Sequence, residues 1–171
     1  MVLGLVWVDG PCTAYAVRRT VQASLSTQWS GSAGAVYPAV ARLEQRGLIR
    51  LRAQSTGRRR SQALEITVKG TRVLADWLGP PVDSAALGIP PDPLRTRLRF
   101  LELLPPARQS SFLDEAIEAV EAGVRRVRAD VLRSTRAGES SFKIAMARGA
   151  LHATRARLRT LRELKASLSR P

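Results

Sequence analysis

Residues 31–49 read Gly31-Ser32-Ala33-Gly34-Ala35-Val36-Tyr37-Pro38-Ala39-Val40-Ala41-Arg42-Leu43-Glu44-Gln45-Arg46-Gly47-Leu48-Ile49. Ser32 stands where a side-chain oxygen can cap a helix, and Val36, Val40 and Leu43 recur on one helical face. Arg42, Gln45 and Arg46 fall off that face and stay free for a partner, while Gly47 ends the helix. Pro38 removes a backbone donor, so either the helix starts near Tyr37 or it kinks there.

The chain beyond Gly47 changes period. Ile49, Leu51 and Ala53 alternate with Arg50, Arg52 and Gln54, and Leu64 and Ile66 alternate with Glu65 and Thr67 on the return. Between the two runs lies Ser55-Thr56-Gly57-Arg58-Arg59-Arg60-Ser61, read as a loop whose three arginines face solvent. Guanidinium groups at such a tip can meet phosphate oxygens or enter a narrow minor groove; a solvated charge run is the plain alternative.

Charge narrows the class of partner. The 171 residues carry 28 Lys and Arg against 14 Asp and Glu, a net charge of +14, which calls for a polyanion or an anionic surface. Nucleic acid is the stronger of the two, because no apolar run approaches the roughly 20 residues of a membrane span. Val2–Val8 is apolar but short and has no basic segment before it, so no signal peptide is read and a cytoplasmic location is expected. The single Cys12 cannot form an intramolecular disulfide; it reads as a small hydrophobe or, near a helix start, as a redox-sensing thiol. His152 is the only histidine. With no histidine cluster, phosphate-cradling glycine loop or nucleophile elbow, the sequence implies no metal, no cofactor and no enzyme.

Prolines divide the chain. Five of the ten fall within residues 79–93, giving a winged domain at 1–78, a Pro-rich linker at 79–93 and a helical domain at 94–171. In the first region Val2–Val8 reads as a short buried helix, and Ala14, Val17, Val21 and Leu25 form the apolar face of a second. A last helix from about Lys69 to Leu78 is expected to bury Val73, Leu74 and Trp77. Three helices, a β-hairpin and a closing helix make a mainly α winged helix-turn-helix, in which the third helix enters the major groove.

The same residues carry a family resemblance. Leu3-Gly4-Leu5, Gly10-Pro11, Tyr15, Ser32, Gly34, Tyr37-Pro38, Arg42-Leu43-Glu44 and Gly47-Leu48-Ile49 resemble the PadR-type transcriptional regulators, and Gly57-Arg58, Arg60, Ile66-Thr67 and Gly70 extend the match through the wing. That resemblance implies a dimeric regulator, most often a repressor, on a near-palindromic DNA operator that it often releases when a small-molecule effector or another signal arrives. It places Ser32, Ala35, Tyr37, Pro38 and Arg42 on or beside the recognition helix and Arg58 and Arg60 on the wing; Arg59 joins them from its place at the tip. Tyr37 can touch DNA through its hydroxyl or simply pack. The chain departs from the pattern at Thr13-Ala14, where a His-Gly pair is common, at Arg59, in place of a frequent proline, and at Ala63, in place of a frequent tyrosine. Trp7 and Trp77 read as core, whereas Trp29, among polar residues, is the candidate for an effector or interface contact.

The second region supplies a partner-seeking seam. Leu113, Ile117, Val120, Val124, Val127 and Val131 follow a 4-3-4-3-4 spacing, and a second long helix from about Ser141 to Leu168 offers Leu151, Leu158, Leu161, Leu164 and Leu168. The two pack as an antiparallel hairpin and leave a face to another copy, so Leu113, Ile117, Val120, Val124, Val127, Leu158 and Leu161 are the expected homodimerisation residues. Its layout resembles the helical dimerisation domain of longer PadR-type proteins. The other readings are a nonspecific nucleoid or RNA-binding protein, in which charge does everything, and a protein-interaction module with a degenerate DNA domain.

Overall fold

Helix α1, Val2–Asp9, turns Val2, Leu3 and Val6 inward, and the first unit packs on that face. The computed structural model describes residues 1–56, 59–82, 88 and 92–168, in two compact units, Met1–Ile89 and Pro90–Pro171. A two-residue strand β1, Cys12–Thr13, leads into α2, Ala14–Gln22; the Thr13 hydroxyl accepts from the Ala16 N–H at 3.1 Å and caps the helix. Thus Thr13, at a departure from the family pattern, serves as an N-cap. Next come the one-turn helix α3, Thr27–Ser30, a 3₁₀ turn at Ala33–Ala35, and α4, Val36–Gln45.

Strands β2, Ile49–Thr56, and β3, Arg59–Ile66, form an antiparallel hairpin, and β1 pairs with the other edge of β3 to give the order β1-β3-β2. Helix α5, Val68–Leu78, follows at once, capped by the Thr67 hydroxyl. Val17, Val21, Val36, Val40, Leu48, Ile49, Leu64 and Leu74 close on the α1 face as one core. The apolar alternation of the hairpin and the 3.6-residue period of α2 and α4 all point into it.

Several expectations are corrected here. The segment read as a loop at 55–61 is mostly strand: Ser55 pairs with Arg60 and Thr56 with Arg59. Ladder hydrogen bonds use the backbone, so pairing continues past the last apolar side chain. Arg59 and Arg60 therefore belong to β3, while Gly57 and Arg58 lie outside the described residues. Helix α2 ends at Gln22, leaving Leu25 exposed beyond it. Trp7 and Trp77, read as core, are 56% and 73% exposed, and Val73 is 40% exposed, because α1 and α5 bury only the faces carrying Val6 and Leu74. Much of the Pro-rich segment (83–87 and 89–91) also lies outside the described residues.

The second unit opens with α6, Pro93–Leu98, whose N-cap Asp92 accepts from the Leu94 and Arg95 N–H groups. Pro93 at N1 fits, since its missing donor would have had no partner there. After a 3₁₀ turn at Leu101–Leu103, α7, Pro106–Arg136, and α8, Ser141–Leu168, form a long antiparallel hairpin turned at Gly138, whose φ is 63°. Toward its open end Leu113 and Leu161 are fully buried against Leu101, and Ile117, Val120 and Leu164 pack against them. Of the residues read as a dimer seam, Leu113 and Leu161 thus sit in the core of their own chain; Val124, Val127 and Leu158 are half-buried.

Candidate nucleic-acid interface

Helix α4 presents two opposite faces. Val36 and Val40 are buried, Leu43 is half-buried, and Tyr37, Pro38, Ala41, Arg42 and Gln45 are exposed on the other side. Pro38 lies in the first turn, where no intrahelical donor is needed, so of the two readings offered by the sequence the structure takes the late start. Ala41 at the middle of the exposed face leaves the backbone close to whatever the helix meets. Sequence reasoning passed over Ala41, although its place three residues after Pro38 and four before Gln45 is visible in the pattern.

Ser32 does not cap α4. Its hydroxyl donates to the Trp29 carbonyl at 2.7 Å, and the helix begins four residues later, after the 3₁₀ turn. Ala35 takes the N-cap position with no side-chain bond, and is exposed. Ser32 and Trp29 are therefore brought together, both half-buried, just ahead of the helix carrying Tyr37 and Arg42. Arg18 and Arg19, on α2, are exposed as well. None of Arg18, Arg19, Arg42 and Arg46 enters an ion pair among the described residues.

The base of the wing is electrostatically different. Arg50 Nε donates to Glu65 Oε2 at 2.7 Å and Arg52 Nη1 to Oε1 at 3.3 Å, so one carboxylate holds two guanidinium groups. Hydrogen bonds from Arg50 and then Arg52 hold the Glu65 carboxyl below the usual glutamate range. The wet basic side of β2 is thus partly neutralised, which the alternation alone did not reveal.

The turn between α4 and β2 is clamped by α5. Lys69 Nζ donates to the Arg46 carbonyl at 2.9 Å, and the Thr67 hydroxyl donates to the Gly47 carbonyl at 2.8 Å. At Gly70 the approach is so close that a Cβ would stand 2.0 Å from the Leu48 carbonyl oxygen. Gly47 itself has a φ of 67°, the left-handed conformation glycine adopts without strain.

Cys12 pairs with Leu64 across the β1–β3 edge and packs against the core. Burial, and then the charge of Asp9, push its thiol pKa up, the opposite of what a reactive thiolate needs. His152 is exposed on α8.

With this geometry in view, the comparisons with known proteins are decisive for residues 2–76, which match the sequence pattern of the Transcriptional regulator PadR-like family. The winged domain belongs to the PadR-like family. None of the curated proteins compared with the chain matches it in sequence. Among solved structures, PadR of Bacillus subtilis in complex with operator DNA is 19% identical, with a TM-score of 0.83 over 98% of this chain and 95% of that one. A PadR-like transcriptional regulator from Bacillus cereus is 19% identical, with a TM-score of 0.80 over 98% and 93%. The B. subtilis protein in complex with p-coumaric acid is 18% identical, with a TM-score of 0.76 over 99% and 96%. These likenesses show a shared fold. The family matched over residues 2–76 is one of transcriptional regulators, and no helix among the described residues is long and apolar enough to cross a membrane.

Proposed function

We propose that this PadR-like regulator is a homodimeric repressor that reads a near-palindromic operator through α4 and grips phosphates with its wing. The observation that carries this is the exposed face of α4, where Tyr37, Pro38, Ala41, Arg42 and Gln45 stand opposite the buried Val36 and Val40. A helix with one face anchored in a core and the other bearing an arginine, a tyrosine and an amide suits a major groove. Ser32 and Ala35 precede it, and the reading assigns them to the backbone phosphates flanking that groove. The reading assigns phosphate contacts to Arg58, Arg59 and Arg60 of the wing, whose strands pair as far as Thr56 and Arg59. Two copies with recognition helices about 34 Å apart would meet half-sites one turn of DNA apart.

Release by a small molecule completes the reading. An effector shifts the equilibrium only if it favours one arrangement of the dimer over another. Trp29 is the residue we assign to such a contact: it is half-buried, and its carbonyl holds Ser32 just ahead of α4. The p-coumaric acid complex of B. subtilis PadR supports an aromatic acid as the class to try first.

Net charge of +14 favours a second reading, in which the chain coats any duplex or RNA. Binding to the duplex upstream of its own reading frame, against a shuffled duplex across a salt series, separates the two. A preference that persists at physiological salt supports the operator reading, and equal, salt-fragile binding supports the other.

A further inference from the structure

The winged domain leaves half of the excess charge unexplained. Residues 79–171 carry 17 Lys and Arg against 10 Asp and Glu, and the imbalance lies toward the turn of the α7–α8 hairpin. Residues 122–156 hold eight basic side chains and two carboxylates, Asp130 and Glu139, which pair with Arg133 and Lys143. Between Ser141 and Arg162, α8 holds no carboxylate at all.

An ion pair between the two helices shows which of their flanks share one side. Arg162 of α8 meets Glu121 of α7 at 2.6 Å. From Glu121, Arg125 and Arg128 follow at i+4 and i+7; from Arg162, Arg155 and Arg148 precede at i−7 and i−14, so all four arginines lie on the side that this pair marks. All four are exposed, and none enters an ion pair among the described residues. Asp130 stands nine residues from Glu121, half a turn round α7, and so belongs to the other side.

The row of arginines suits a repeating anion. Arg148 and Arg155 are about 10 Å apart along α8. A DNA duplex presents one negative charge per about 1.7 Å of its axis, so a row of that length runs beside about six of them. An anionic lipid surface would instead reward apolar side chains that insert. Phe142 and Met146, the most exposed large apolar side chains of α8, lie nearly half a turn round the helix from Arg162 and face elsewhere. Guanidinium forks standing alone on a flat helical side are matched to phosphate oxygens.

We propose that this side of the hairpin is a second duplex-binding surface, which grips phosphates without reading sequence. It goes beyond the operator reading, because the surface stands on the second unit alone and needs no operator.

The test measures fluorescence anisotropy of the full chain on the shuffled duplex across a salt series. Arg125→Gln, Arg128→Gln, Arg148→Gln and Arg155→Gln together should make the slope of log affinity against log salt shallower by roughly two to four, and lower affinity at low salt by about tenfold or more. Added to the wing variant Arg58→Ala with Arg60→Ala, the four changes should take off the same amount again, as independent sites do. A benzophenone carried by Arg148→Cys in a Cys12→Ser background should cross-link to the duplex on illumination. One carried by Ala153→Cys, exposed half a turn round α8 from Arg162, should not; this readout survives if the fourfold variant folds poorly. An unchanged slope with no cross-link from position 148 overturns the surface, and a wing variant that still lowers the slope leaves the winged-domain reading standing. If the fourfold variant raises the dimer dissociation constant in sedimentation equilibrium, or loses binding to phosphatidylglycerol vesicles, with the slope untouched, the side belongs to a second copy or to a membrane, and the proposal falls. If neither variant changes the slope, both readings fall.

Discussion

The Lys69 ammonium donates to the Arg46 carbonyl at 2.9 Å, so the helix that follows the wing holds the end of the helix that precedes it. The last carbonyls of a helix lack intrahelical donors, and a cation there satisfies one while complementing the dipole. Thr67 joins in from the adjacent position, donating to the Gly47 carbonyl and accepting from the Gly70 N–H at 3.0 Å. Helix α4, the start of β2 and α5 are thereby fixed to one another at a single turn.

Lys69→Met is expected to lower the ratio of operator to shuffled-duplex affinity by roughly three- to tenfold, the worth of one hydrogen bond. Lys69→Arg should restore most of it. Loss of a positive charge alone would weaken both duplexes equally, so an unchanged ratio in the Met variant would show that the contact does not position α4.

Gly70→Ala should destabilise the winged domain by about 3 kcal/mol, as overpacking against backbone does. The added methyl carbon would fall 2.0 Å from the Leu48 carbonyl oxygen and 2.9 Å from Ile66 Cγ1, and the Leu48 oxygen cannot retreat without breaking its bond from the Thr67 N–H. Urea denaturation followed by far-ultraviolet circular dichroism measures the change. A loss below 1 kcal/mol would mean that α5 can slide away from the turn at little cost.

Glu65 links acid stability to DNA binding. Its folded pKa lies below its unfolded value, so the ionised carboxylate contributes stability that is complete above the ordinary glutamate range near about 4.3 and is lost as pH falls through the folded value. Glu65→Gln should therefore be less stable than wild type at pH 7, with the gap closing below about pH 4. Freed from the carboxylate, Arg50 and Arg52 become available to phosphates, and the slope of log affinity against log salt should steepen by up to about two. Thermal melts at pH 7 and pH 3, with a salt titration of duplex binding, test both halves; a pH-independent gap or an unchanged slope counts against the ion-pair account.

Much of this was legible in the residues, for a physical reason. Val36, Val40 and Leu43 mark α4, and the Ile49–Leu51 and Leu64–Ile66 alternations mark the hairpin, because each needs one buried face and that need shows as a period. What the period could not show was backbone-driven. Strand pairing of Arg59 and Arg60, the two-residue strand at Cys12–Thr13, and the 3₁₀ turn that displaces Ser32 from the cap all rest on main-chain hydrogen bonds, which any side chain permits. The exposed Trp7 and Trp77 misled for the converse reason: bulk and apolarity favour burial, but α1 and α5 each have only one face against the core.

Arg42 and the wing arginines should fail differently. On α4, Arg42 is exposed beside Pro38 and Gln45 on a rigid helix, a placement suited to one base edge at a fixed register. Arg58 and Arg60 are proposed to meet phosphates, which carry no sequence information. Arg42→Ala is thus expected to lower operator affinity by about tenfold or more while shuffled-duplex affinity falls only slightly, since one bidentate base contact is worth about 1–3 kcal/mol. Arg58→Ala with Arg60→Ala should weaken both duplexes alike and make the log–log salt slope shallower by roughly two. Fluorescence anisotropy on both duplexes at four or more salt concentrations separates these outcomes. If the wing variant instead changed which duplex is preferred, Arg58 and Arg60 would be reading a minor groove, and specificity would have to be divided between wing and helix.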